Sequence, residues 1–358
     1  MMTEFDLIQQ FFTVKNDANI VASQDVIKSS VAESLIKGIG DDASVVRLPP
    51  NTELVTCTDT LVQGRHFFGD WESVDQLAYA IGYKSVAVNV SDIVAMGATP
   101  HSFLLSLAMP KRLANETWLD EFAKGIHEAC SEFGVVLIGG DTTQCDTLVI
   151  TVTAQGWIEH GKAVYRDGAN VNEGIFVSGT VGDAGYALTH LDRDIGRQLA
   201  HRLHEPTPRI RLGQALANAP HRATAMQDVS DGLIQDLMHI AKQSGVRMQI
   251  ELDKLPTSEP LNQIPIAERL PYQLNGGDDY ELIFTLPKGA DIQALQSQTE
   301  DTLITKIGNV IGTATDITTN NAKTDKPLIE LVFEGKPVTP DDPYPFNTFP
   351  DLAGYQHF

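Results

Sequence analysis

Cysteine is scarce. Cys57, Cys130 and Cys145 are the only three in 358 residues, too few and too scattered for a disulfide framework or a zinc knuckle. No run of about 18 apolar residues occurs, which excludes a predicted membrane-spanning helix. The opening MMTEFDLIQQFF lacks the basic head and apolar stretch of a secretory signal, so a reduced, cytoplasmic setting is expected. It reads instead as a short amphipathic helix with Phe5, Ile8 and Phe12 on one face. Positive charge is also short: 26 Lys and Arg stand against 47 Asp and Glu, a net charge of −21. That field repels nucleic acid and anionic membrane, and neither is expected as a partner. Several catalytic signatures are missing as well. There is no GxxxxGK[ST] phosphate loop, since Ala163 follows Gly161-Lys162 where a Ser or Thr is required. The protein-kinase signatures and the GxSxG elbow are absent too. A phosphotransferase on this chain would need metal ions where others use lysines.

What is present is an ordinary globular mixture, with hydrophobic residues at 42% and charged residues at 20%. The length exceeds what one core usually holds, so two domains are expected, 1–160 and 161–358, with a polar, turn-rich junction at 160–173. Short apolar strands alternate with longer helical patterns, which predicts a mixed α/β fold. Strands are expected at 53–58, 102–109, 135–140 and 147–158. Helices are expected at 73–98, as one or two segments, and at 116–133. Ser73 and Gln76 have capping-box spacing at the first start, and Gly97 can end that stretch. The second half predicts strands at 175–179, 223–228, 247–252 and 276–286, helices up to about 218, and a helix at 230–244. Residues 313–325 read as a loop, and the Pro- and aromatic-rich last twenty as a surface-wrapping tail.

The chemical signal is a set of acids beside Gly, Ser or Thr at chain turns: GIGDD (38–42), TCTDT (56–60), NVSD (89–92), GGD (139–141), QDVSDG (227–232) and GGDD (276–279). Each alone is more often turn chemistry than metal ligation. Together they could build a multi-metal site for a polyphosphate, because Mg²⁺ takes one or two carboxylates plus phosphate oxygens. That is also how so acidic a protein could hold ATP. Asp92 lies among apolar helical residues, where a carboxylate is costly unless paired or metal-bound. Around Asp228 and Asp231 two readings stand. Ser230 or Asp231 caps a helix, or the carboxylates bind metal and the amides are left for phosphate. His66, in GRHFF, is a candidate substrate contact or a half-buried histidine beside Phe67 and Phe68.

Read in order, GIGDDASV, TDTLVQGRHF, AVNVSDIVAMGATP, LIGGDTT, the Arg166 segment, QDVSDGLIQDL, GGDDYEL and the closing GYQHF resemble the thiamine-monophosphate kinase family, of the superfamily that includes aminoimidazole ribonucleotide (AIR) synthetase. The resemblance spans residues 38–358. It implies two AIR synthetase-like α/β domains with mixed sheets flanked by helices, paired as a homodimer through N-terminal strands. It implies ATP-dependent phosphorylation of thiamine monophosphate to thiamine diphosphate. By the same resemblance Asp42, Cys57, Thr58, Asp59, Asp92, Asp141, Asp228 and Asp231 look like Mg²⁺ ligands, with Asp42, Asp59 and Asp231 central to catalysis. Gly140, Asp141, Arg166 and Ser230 fall at nucleotide positions, and His66, Asp278 and Tyr355 at thiamine-phosphate positions. Cys57 stands where the family often has Ser, and a backbone carbonyl can serve as ligand there. Asp278 is one methylene shorter than the family glutamate. Tyr355 replaces a frequent Trp with less stacking area.

The expected chemistry is in-line transfer of a γ-phosphoryl group to an acceptor that is already an anion, with metals offsetting the repulsion. The competing expectations are another ATP-using member of the superfamily and a non-catalytic, Mg²⁺-dependent nucleotide-binding protein. A selenophosphate synthetase would be expected to carry a reactive Cys or selenocysteine near its N-terminus, and residues 1–56 contain no Cys.

Overall fold

The computed structural model describes residues 8–12, 34–218, 220, 222–299, 302–314 and 327–338. The chain divides into two compact units, one running to Ile93 and including Ala98–Gly161, the other comprising Val94–Gly97 and the chain from Lys162 onward. Phe5, the loop read at 313–325 beyond its first residues, the C-terminal tail and Tyr355 lie outside the described residues.

In the N-terminal unit, β1 (Leu35–Lys37) and β2 (Val45–Val46) form a small antiparallel pair. The main sheet contains β3 (Thr52–Val62), β4 (Thr99–Met109), β5 (Val136–Gln144) and β6 (Val149–Glu159), in the order β3-β6-β4-β5. β3 and β6 pair antiparallel along their whole length, from Thr52 opposite Glu159 to Val62 opposite Val149. β4 and β5 are parallel, which requires a crossover. Helix α3, placed below, supplies it. The burial of β6 alternates residue by residue, with Ile150, Val152, Ala154 and Ile158 buried.

Two helices, α1 (Trp71–Gln76) and α2 (Ala78–Ala95), abut in the 73–98 stretch. The first starts one turn earlier than the Ser73/Gln76 pattern implied. Asp70 is its cap, and its carboxylate accepts the Ser73 N–H at 2.8 Å. Ser73 is the donor there, not the cap. α2 is buried nearly all round, the signature of a core helix, and Gly97 (φ 76°) turns the chain at its end. α3 (Glu116–Phe133) is amphipathic. Asn115 caps it by accepting the Trp118 N–H, Gly134 ends it in the left-handed region, and Trp118, Leu119, Phe122, Ile126 and Phe133 form the buried stripe. The 135–140 strand of the sequence reading runs on to Gln144, and its end from Gly140 is exposed.

The C-terminal unit carries a mixed seven-stranded sheet, β13-β12-β9-β11-β7-β10-β8. Its strands are β7 (Gly174–Ser178), β8 (Ala225–Asp228), β9 (Val246–Glu251), β10 (Leu282–Leu286), β11 (Ile304–Thr313), β12 (Ile329–Phe333) and β13 (Lys336–Pro337). The helices are α4 (Asp183–His190), α5 (Asp194–His204), α6 (Ile210–Asn218), α7 (Leu233–Ser244), α8 (Ile266–Asn275) and α9 (Ile292–Gln298). One face of the sheet packs Ile175, Val177, Met248, Ile250 and Ile283 against Ile234, Leu237 and Ile240 of α7. The 276–286 segment is strand only from Leu282. Asp278 (φ 67°) and Tyr280 (φ 50°) adopt left-handed conformations, which break the extended ladder.

Candidate active site

β3 sets the first group of residues by its pleat. Cys57, Asp59 and Leu61 point to one face and Thr56, Thr58 and Thr60 to the other, exposed one. Thr58 Oγ1 is committed to β6, donating to the Val152 carbonyl at 3.0 Å and lying 3.0 Å from Thr153 Oγ1. A metal contact from Thr58 is therefore left to its backbone carbonyl. On the other face, the Cys57 thiol donates to the Asn89 carbonyl of α2 at 3.3 Å. Burial, then the Asp92 and Asp59 carboxylates, push that thiol far above its ordinary pKa. Sulfur thus stays protonated and is no thiolate ligand. Asp59 and Asp92 thus both lie near enough to this thiol to act on it. Asn89, which the sequence reading passed over, ties the two elements: its Oδ1 accepts the Asp59 N–H at 3.0 Å and its Nδ2 donates to the Ser85 carbonyl.

The second group lines a cleft of ≈ 960 Å³ within the same unit. Asp41, Asp42, Gly139, Gly140 and Asp141 share it with Ser106, Thr151 and Thr153 of the sheet. Asp42 and Asp141, far apart in sequence, thus share one cleft with Gly140, which precedes Asp141 on β5. Gly140 is dictated by contact: a Cβ there would sit 1.8 Å from the Leu105 carbonyl oxygen. His66 lies in the turn after β3, where its Nδ1 accepts the Val62 N–H at 3.1 Å. Nε2 is then the nitrogen that can carry a proton outward.

The third group belongs to the C-terminal unit. β8 ends at Asp228, a short loop follows, and α7 begins after Gly232 (φ 121°). The cap reading of this loop does not hold, and neither does the part of the metal reading that left the amides free for phosphate. Gly232 is the cap position and offers no side chain, and the amides of Ser230, Asp231 and Gly232 are taken by the Asp236 carboxylate. Asp236 was not anticipated. Burial, then the Asp228 and Asp231 charges, raise its pKa well above the carboxylate range, opposed by those amides. Asp231 Oδ2 accepts from Gln235 Nε2 at 3.0 Å.

The GGDDYEL loop packs against this loop. Asp278 N–H donates to the Ser230 carbonyl at 2.9 Å and Tyr280 N–H to that of Val229 at 2.8 Å. Asp278 Oδ1 accepts the Tyr280 hydroxyl at 3.1 Å, so Asp278, Ser230 and Asp231 are neighbours. Asp279 and Glu281 turn inward. Asp279 accepts the Gly182 N–H at the start of α4 at 2.6 Å, and Glu281 meets Ser178, Arg202 and Arg209. Arg166 is exposed and lies close enough to His239 to lower that histidine's pKa, after burial, which is the larger cause. Among the described residues, no three His, Cys, Asp or Glu side chains gather to hold a metal ion by themselves. The expected convergence takes the form of smaller groups. No described helix is long and apolar enough to cross a membrane.

Residues 40–158 match the N-terminal domain, and residues 172–319 the C-terminal domain, of AIR synthase related proteins. Thiamine-monophosphate kinase of Haemophilus influenzae is 38% identical over 295 residues, covering 80% of this chain and 82% of that protein. The crystal structure of thiamine-monophosphate kinase from Stenotrophomonas maltophilia K279a superposes with a TM-score of 0.73 at 34% identity, covering 89% of this chain and 95% of that one. AaThiL complexed with AMPPCP and TMP superposes with a TM-score of 0.64 at 31% identity, covering 87% and 92%. Such similarity over most of both chains means that this protein belongs to the thiamine-monophosphate kinase family, with the two domains of AIR synthase related proteins.

Proposed function

We propose that the protein transfers the γ-phosphoryl group of ATP directly to thiamine monophosphate, giving thiamine diphosphate and ADP. The carrying observation is that a relative 31% identical over 87% of this chain is complexed with AMPPCP, an ATP analogue, and TMP. A phosphate oxygen of the acceptor attacks the γ-phosphorus as the bond to the ADP oxygen breaks. That oxygen is anionic near neutral pH, the second phosphate pKa being about 6, so no strong general base is required. Repulsion between the two phosphate chains is the main barrier.

The donor sets suit Mg²⁺, a hard cation that usually takes one or two carboxylates and fills its octahedron with water and phosphate oxygens. Asp42 with Asp141, Asp59 with Asp92 (beside the Cys57 and Thr58 carbonyls), and Asp228 with Asp231 would hold it. When bound, it would neutralise phosphate charge and align the two substrates. Gly140, Asp141, Arg166 and Ser230 are assigned to the nucleotide, and His66, Asp278 and Tyr355 to the thiamine phosphate. Gly140 lines the cleft that holds Asp42 and Asp141, and Arg166 offers an exposed guanidinium for bidentate contact. A cytoplasmic setting and a homodimer through the N-terminal strands complete the reading.

ADP release on adding thiamine monophosphate and Mg²⁺, and none without the acceptor, is the expected result. ADP release that ignores thiamine monophosphate overturns the proposal. Asp231→Asn should cut turnover by orders of magnitude with the fold retained; near-normal turnover at saturating Mg²⁺ removes Asp231 from the mechanism.

A further inference from the structure

Asp236 has no part in the ligand sets above, yet it holds one of them. It is fully buried (0% exposed). Its Oδ2 accepts the N–H groups of Ser230 at 3.1 Å, Asp231 at 3.2 Å and Gly232 at 3.2 Å, and its Oδ1 accepts Gln227 Nε2 at 2.7 Å. A helix start leaves N–H groups unsatisfied, and a cap side chain or a bound anion ordinarily takes them. Here a side chain one turn inside α7 reaches back and fills the place of an anion.

The consequence is geometric. Three consecutive N–H groups converging on one oxygen fix three successive peptide planes, and with them the directions in which the Ser230 and Asp231 side chains leave the backbone. The arrangement is costly as helix capping. It buries a third carboxylate beside Asp228 and Asp231, where a single Ser or Asn at the cap would satisfy an amide without added charge. Repulsion of that kind is offset where cations occupy Asp228 and Asp231.

We infer that Asp236 is a positioning residue for phosphoryl transfer: it locks the loop at 229–232 in the shape that presents Asp228 and Asp231 to cation-bound phosphate. This rests on the reading of those two aspartates as Mg²⁺ ligands.

The test compares Asp236→Asn, Asp231→Asn and the unaltered chain. Two quantities are measured: the Mg²⁺ concentration that half-saturates turnover, and amide hydrogen exchange at 230–232 in Mg²⁺-free protein. The carboxamide keeps the size of Asp236 but replaces one acceptor oxygen with a donor. Its loss should speed exchange at the three amides by about tenfold or more and raise the half-saturating Mg²⁺ concentration by about 10–100-fold, the usual effect of losing a group that orients a metal ligand. A purely structural role would lower the melting temperature but leave the Mg²⁺ dependence at permissive temperature unchanged, and that result overturns the inference. If Asp231→Asn also leaves the Mg²⁺ dependence unchanged, the ligand reading itself fails. If only Asp231→Asn shifts it, Asp236 alone is wrongly assigned. Should Asp236→Asn not fold, Gln227→Leu removes the donor to Oδ1, together with a 3.4 Å contact to His239 Nδ1, and leaves the three amide donors to Oδ2 in place. A severalfold shift in the same direction is expected, and none overturns the inference.

Discussion

Replacing Glu281 by Gln gives the sharpest test of how the C-terminal unit is held together. The side chain is fully buried and accepts from Ser178 Oγ at 2.6 Å, Arg202 Nη2 at 2.6 Å and Arg209 Nε at 2.7 Å. Both guanidiniums are themselves nearly enclosed, with side-chain exposures of 11% and 15%. Glutamine matches the volume but removes the charge and turns an NH₂ toward donors. Breaking one side of a buried ion pair costs about 3–5 kcal/mol, mostly because the surviving charge is stranded. For a unit of this size each kcal/mol corresponds to about 2–4 °C, so its melting temperature should fall by about 6–20 °C. The pH dependence fixes the cause. Burial acts to raise the pKa of Glu281, but Arg209 and then Arg202 overcome it, and the net shift is downward from 4.5. Its contribution is therefore fully present above the unfolded value of 4.5 and lost as pH falls through the lower folded value. Calorimetry from pH 7 to 3 should show the gap between Glu281→Gln and the unaltered chain closing only below about pH 4.5. A loss under about 1 kcal/mol at pH 7, or a gap independent of pH, would refute the reasoning. Replacing Glu281, Arg202 and Arg209 together by Met should recover only part of the loss, since buried Asp183, 4.0 Å from Arg202 Nε, then loses its cation.

Gly140→Ala should destabilise the N-terminal unit by about 1–3 kcal/mol or more in urea unfolding, because its Cβ would meet the Leu105 carbonyl at 1.8 Å. Gly139→Ala should cost less, since the nearest atom there is Leu104 Cδ2 at 3.1 Å, the far end of a side chain that can turn. Equal effects would show that backbone crowding is not the reason for the second glycine. Asn89→Ala strips the buried acceptor from the Asp59 N–H, and a loss of about 1–3 kcal/mol is expected with a fall in turnover; unchanged stability would mean that the β3 edge is satisfied otherwise. Asp42→Asn and Asp141→Asn should each raise the Mg²⁺ requirement and, together, less than additively, because the two line one cleft; strict additivity in ADP release would separate them.

Periodicity carried most of the fold. β6 was legible because its long alternation has few competing explanations, and α3 because of its helical pattern over 116–133; β3 was read only over 53–58 and runs on to Val62. The misreadings have local causes. Ser73 has cap chemistry, but Asp70 three residues earlier has it too, and only backbone geometry chooses between them. GGDDYELIFTL looks like one strand because its apolar run starts at Leu282, whereas the left-handed Asp278 and Tyr280 are conformations that no pattern of polarity announces. Asp42, Asp141 and Gly140 were legible as a site because acids beside glycines stand out at turns. Asp236 and Asn89 were not, because a polar residue inside a helical pattern reads as a solvated face until its partners are known.

This difference in legibility matters for reading the site electrostatically. Strongly perturbed groups are commonly used to locate active sites. Here three groups that burial perturbs strongly, Cys57, Asp236 and Asp279, are ones whose side chains have no direct place in the proposed chemistry. Each is instead committed inward: Cys57 to the Asn89 carbonyl, Asp236 to three loop amides, Asp279 to the start of α4. An acid that must receive a hydrated cation needs the opposite setting, with access to water and lone pairs not already spent on N–H donors. Asp42 and Asp141 have that setting, exposed in one cleft. Asp231 has it in part: it is half-buried beside a loop whose amides another carboxylate has taken, although its Oδ2 accepts from Gln235 Nε2. Apart from Asp228, a proposed ligand buried at the end of β8, the acidic excess of the chain serves two ends: buried carboxylates shape the loops, and accessible ones at the loop tips remain for cations. A −21 protein can then bind polyphosphate without lysines, provided the second set, and not the first, meets the metal.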